Sequence, residues 1–254
     1  MEAASAPAQP SIVRRGSDPV VHGLLIGFLA ALAVIPIEIR SLFGLPAHPL
    51  LLHAPVVLIP LLGIAAIALV IRRDWLARYG VALAIGAIVT LGATNLAVGA
   101  GEAFREARDN AMTSSTLTAP AGESGETGES GEPGEAPSGE EGEDQQLDEH
   151  AELGDQLRIV MILFAGAIVL LVAADQARRR GTEGPIGRAA TALASRRIDL
   201  ALKAAVGILA AVAIAWVVRT GHEGAKVAWS EEPGFGNQDS PPAGVAPPYG
   251  EPGE

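Results

Sequence analysis

The sequence predicts an all-α integral membrane helical bundle, and three observations carry that expectation. Hydrophobic residues make up 49% of the 254 and mean hydropathy is +0.31, yet the formal net charge is -11. A single soluble domain does not combine these values; apolar spans joined to acidic polar segments do. Next, a helix needs about 20 mostly apolar residues to cross roughly 30 Å of hydrocarbon, and five stretches approach that length: 20–39, 49–71, 79–100, 157–174 and 200–218. Finally, these stretches are rich in Ala, Gly, Leu, Val and Ile while aromatics reach only 4%, a composition suited to close helix contact in lipid.

Taken in order, the chain opens with a polar tail, 1–19, and a first span over 20–42. That span has a basic flank, an apolar run and Ala-x-Ala at Ala31–Ala33, which is also the pattern of a cleaved signal peptide. The run continues through "VIPIEIR", so a retained span is expected, one that could act as a signal anchor. A core hairpin, 44–110, follows. Residues 111–146 form a Gly/Glu-rich acidic loop without apolar anchors, which predicts disorder. A second core hairpin, 147–230, contains a basic loop with a helical segment, "IGRAATALASRRID", and a Pro/Gly-rich tail, 231–254, closes the chain.

Cytoplasmic loops collect Lys and Arg. With the N-terminus inside, Arg14, Arg15, Arg72, Arg73, Arg78, Arg178, Arg179, Arg180, Arg188, Arg196, Arg197 and Lys203 lie inside, twelve in all. Only Arg40, Arg105, Arg108, Arg158, Arg219 and Lys226 lie outside. The expectation is therefore N-in and C-out in the plasma membrane, with the acidic loop and the tail on the outer side. The absence of cysteine excludes disulfides, thiolate metal sites, iron–sulfur clusters and covalent c-type haem. No nucleophile–base pair, phosphate loop or catalytic dyad is present, and whether the protein is an enzyme is left open.

The histidines carry the chemistry. Four of the five, His48, His53, His150 and His222, fall at the outer ends of three different spans, and only His22 lies at the opposite face. In "AHPLLLHAP", Pro49 suits a first helical turn, where a missing N–H removes no bond. His48 and His53 are then about 140° apart around the helix and cannot share one face; Pro55 and Pro60 can bend the span nearby. The fourth span is expected to begin near Asp148, with Gly154 one turn from His150 on the same face. Thr90, Thr94, Asn95, Gly92, Gly99 and Gly101 give the third span a small, polar surface toward the same end, with Glu102 beyond it. Gly221 is expected to stop the last span, leaving His222 and Glu223 at the interface and Trp229 as a belt residue.

Neutral imidazole ligates haem iron and many divalent metals, and a helical bundle can hold a cofactor between opposed side chains. The expected function is a b-type haem electron-transfer protein. His53 and His150 are the first pair of iron ligands, with His48 and His222 in reserve. Two alternatives stand beside it: an accessory or structural membrane subunit without cofactor, and a zinc or copper site from the four histidines with Glu102, Glu149 and Glu223.

The segments "LPAHPLLLHAPVVLIPL", "GEAF", "DEHAELGDQ" and "TGHEGAKVAW" together resemble the DUF2231 family of bacterial integral membrane proteins over about residues 44–230. The resemblance implies a four-helix core with a cytochrome b-like haem role, to which the first span is an addition. The positions that match are His48, His53, His150 and His222, with Gly221 and Gly224. The apolar spans make the lipid bilayer the expected partner, and a haem near the outer face makes a quinone and an outer-face redox protein its expected counterparts, without nucleic acid; the oligomeric state stays open.

Overall fold

A computed structural model describes residues 18–35, 37–118, 140–180, 184–193 and 195–229. In chain order these form α1 (Pro19–Ala33), β1 (Ser41–Leu42), β2 (Leu45–Pro46), α2 (Ala47–Ile71), α3 (Arg73–Thr118), α4 (Glu140–Arg180), α5 (Gly184–Leu193) and α6 (Arg196–Trp229). Four helices, within α2, α3, α4 and α6, are long and apolar enough to cross a membrane.

These four pack as a square. Helix α2 lies against α3 and α6, and α4 also lies against α3 and α6, so α2 and α4 face each other across the diagonal. The turn between α2 and α3 is one extended residue, Arg72 (φ −99°, ψ 94°), whose N–H still reaches the Ala68 carbonyl at 3.0 Å. So short a link forces the two helices to run antiparallel and in contact. The interior is filled by Ile59, Leu91, Met161, Phe164, Ile168 and Val206, all fully buried. Small residues let the backbones approach. A Cβ on Gly63 would sit 2.8 Å from the Ile214 Cδ1, so the Ile214 side chain of α6 packs into the space that Gly63 leaves on α2. In lipid this fit matters more than burial, because the acyl chains are as apolar as the side chains they replace. Outward positions such as Leu61, Ile64, Ile85, Leu163 and Ile208 are exposed apolar side chains.

Helix α1 lies outside the square against α3 and α4. Asp18 caps its first turn through Val20 N–H at 2.9 Å and pairs with Arg180 of α4 at 3.0 Å. Farther along, the Phe28 ring fits over Gly166, and the Asn95 amide donates to the Ala31 carbonyl at 2.8 Å. The chain then passes Gly99, where a Cβ would stand 2.5 Å from the Ile37 carbonyl oxygen. It turns at Phe43 and Gly44, both with positive φ (53° and 79°), through the antiparallel β1–β2 pair.

Several expected boundaries move. The first apolar run is helical for only 15 residues, not over 20–39, because the residue before a proline avoids the helical region and Pro36 follows Ile35. The two-residue strands are a small exception to an all-α chain. Helices α3 and α4 reach Thr118 and Glu140, well into the stretch expected to be loop and beyond the expected start at Asp148. An Arg105–Asp148 ion pair at 2.6 Å ties these extensions together. Helix α6 runs through Gly221 to Trp229; one interior glycine costs a helix only about 1 kcal/mol, too little to end it. Residues 1–17, 119–139 and 230–254, expected as tails and the acidic loop, lie outside the described residues.

Candidate functional site

At one end of the square the diagonal helices each send an imidazole toward the axis. The His48 ring from α2 and the His150 ring from α4 have centroids 6.3 Å apart and planes at 80°. The other diagonal pair makes room for them. A Cβ on Gly101 of α3 would lie 2.9 Å from His48 Cε1, and one on Gly224 of α6 would lie 2.7 Å from His150 Cε1. Two histidines and two glycines, one from each helix, thus form a single constellation.

The donor pattern fixes what each ring offers. His48 Nδ1 is 2.9 Å from the Ala97 carbonyl of α3. A carbonyl only accepts, so Nδ1 carries the hydrogen and Nε2 of the neutral ring keeps its lone pair free. This is the arrangement that orients metal-binding histidines. His150 Nδ1 is buried and has no hydrogen-bond partner. This side of the ring packs on the α6 backbone at Thr220 and Gly224.

Around the rings lies a polar collar. Arg158 of α4, two turns from His150, pairs with Glu102 of α3 at 2.7 Å and with Asp155 at 3.6 Å, its side chain only 14% exposed. Gln156 accepts from the Trp216 indole of α6 at 3.2 Å. Both contacts lock α4 to a neighbour just below the imidazoles.

The expected site residues separate cleanly. His150 is brought together with His48, not with His53. The His53 ring is exposed and donates from Nδ1 to the Pro49 carbonyl of its own helix at 2.8 Å. His222 is exposed on α6, beside Glu223 rather than in the constellation. Gly154, expected beside His150, meets Val98 at ordinary contact distance, and Gly224 takes its place. Among the described residues no three His, Asp or Glu side chains converge as a metal-binding group, so the set with Glu102, Glu149 and Glu223 is not assembled.

One sequence signal could have picked His48. The buried stripe of α2 runs through Pro55, Ile59, Leu62, Ala66 and Leu69, with Gly63 beside it. Stepping back by three and four from Pro55 reaches position 48, whereas position 53 belongs with exposed Val56, Val57, Leu61 and Ile64. Glycine and alanine mark the inward face of a membrane helix, and Gly63 and Ala66 mark this one. The comparisons with known proteins add no second opinion: no family model, no curated protein and no solved structure matches the chain.

Proposed function

We propose that this chain is a membrane-embedded b-type haem protein whose iron ligands are His48 and His150. The observation that carries the reading is the 6.3 Å ring separation across the diagonal, with the His48 Nδ1 committed to Ala97 and its Nε2 left free. Two imidazoles that share one metal atom, each nitrogen about 2 Å from it, place their ring centroids about 6 Å apart. Two ligands are too few for a structural zinc site, which takes about four, but suffice for haem, whose macrocycle supplies the other donors. Ala97 orients the His48 ring, Gly101 and Gly224 let the imidazoles lie close against α3 and α6, and Arg158 offers a cation close by. Bound there, the group would supply one-electron transfer, with a membrane quinone and a redox protein on the outer side as partners.

The same reading places the chain in the plasma membrane with N-in, C-out topology. The distribution of Arg and Lys supports it. A fifth crossing is supported by the path of the chain from Asp18, paired with Arg180, to Arg40, paired with Glu106 at 3.3 Å, since those partners sit at opposite ends of the square. Membership of the DUF2231 family belongs to this proposal as well.

The alternative is an accessory subunit in which the rings simply lock the helices. Their direct edge-on contact favours it. Absorption spectroscopy of the detergent-purified protein separates the two: a sharp Soret band that His150→Ala abolishes supports haem, and a fully helical, colourless protein supports the accessory role.

A further inference from the structure

A groove of about 450 Å³ runs between α2 and α3 on the lipid-facing side, away from the imidazoles. Small residues create it: Ala65 on α2 and Ala82 and Gly86 on α3 leave a hollow between the leucines of the two helices. It extends along α3 from Tyr79 to Thr90. At 1.5 Å per residue that is about 17 Å, close to half of a bilayer core of roughly 30 Å. The groove is therefore as long as one leaflet.

Its two ends differ. At the deep end of the groove the Thr90 hydroxyl is already committed to the Gly86 carbonyl at 2.8 Å, and the walls are apolar. At the other end Tyr79 begins a chain of rings and cations. Trp75 stacks edge-on to Tyr79 with centroids 6.4 Å apart, the Arg78 guanidinium lies 5.4 Å from the Tyr79 ring, and Arg72 lies 5.6 Å from the Trp75 ring. Among the described residues no carboxylate forms an ion pair with Arg72 or Arg78. An apolar slot one leaflet long that ends under two uncompensated guanidiniums matches one class of ligand, an acyl chain carrying an anionic headgroup. A second copy of this chain fits worse, because a two-fold contact along the groove would set Arg72 and Arg78 against their own equivalents. A quinone fits worse too, because its neutral ring brings no anionic charge to the two guanidiniums.

We propose that the α2–α3 groove is a binding site for one anionic phospholipid, its acyl chain over Ala65, Ala82 and Gly86 and its phosphate on Arg72 and Arg78. The proposal does not depend on haem. Native mass spectrometry of the full-length protein in mild detergent, with added phosphatidylglycerol or phosphatidylcholine, tests it. The wild type retains one phosphatidylglycerol in preference to phosphatidylcholine. Arg72→Gln with Arg78→Gln weakens that retention about thirtyfold, and Ala82→Phe, which fills the slot, removes it without changing helicity. The arginine variants alter only the surface and keep the test valid if Ala82→Phe misfolds. Equal retention of both lipids, unchanged retention in the arginine variants, a quinone recovered from the groove, or a dimer that Ala82→Phe dissociates overturns the proposal.

Discussion

His48 and His150 meet because two glycines stand where any other residue would push them apart. The Gly224 backbone is nearly in contact with the His150 ring, and Gly101 is as close to His48. A methyl group at either position must displace an imidazole or part the helices. Overpacking of this kind costs about 1–3 kcal/mol. Gly224→Ala and Gly101→Ala are therefore expected to lower stability by that amount in thermal unfolding. Gly221→Ala, with open space at its Cβ, is expected to be neutral or slightly stabilising, since alanine is the better helix former. The spacing of His48 and His53 told from sequence that they point apart. Which of them points inward is written only in the small residues Gly63 and Ala66, because α2 is apolar on every side and lipid gives no polar stripe to read.

The four long helices were legible as hydrophobic runs of membrane length, and their extensions were not. Residues 101–118 of α3 and 140–156 of α4 are polar, so hydropathy sees no element there; helix propensity and pairs such as Arg105–Asp148 hold them instead. Helix α1 presents the opposite case, a run that looked long enough to span alone and is helical for only 15 residues. Its attachment rests on polar contacts at both ends, which sequence does not pair. Asp18 is buried and carries both the cap and the Arg180 bond. Asp18→Ala loses the cap, a loss of about 1 kcal/mol, and leaves Arg180 without its partner. The expected result is earlier proteolysis ahead of α1, with α2, α3, α4 and α6 still packed. Asp18→Asn, which keeps a capping oxygen, is expected to lie between this variant and the wild type when cleavage is followed over time.

The molecule as a whole is polarised along the bundle axis. The end with Asp18 carries Arg178, Arg179, Arg180, Arg196, Arg197 and Lys203, partly balanced by Asp175 and Asp199. Along α4 from Arg158 to Asp175 no charged residue intervenes, a stretch of about 26 Å at 1.5 Å per residue. That length suits a hydrocarbon layer of roughly 30 Å, and it separates the arginine-rich end of the bundle from the imidazole end. The absence of cysteine makes sidedness directly measurable. With N-in topology, Ser41→Cys reacts with an impermeant maleimide on intact cells, and Ser195→Cys reacts only after permeabilisation; the reverse pattern inverts the topology.

The pairing of His48 with His150 is the claim on which the functional reading rests, and the Soret absorbance of three purified variants measures it most directly. The expected result is a band in the wild type and in His53→Ala, and none in His48→Ala or His150→Ala, with all four proteins equally helical by circular dichroism. A band that survives in His48→Ala and disappears in His53→Ala, or a colourless wild type, contradicts it.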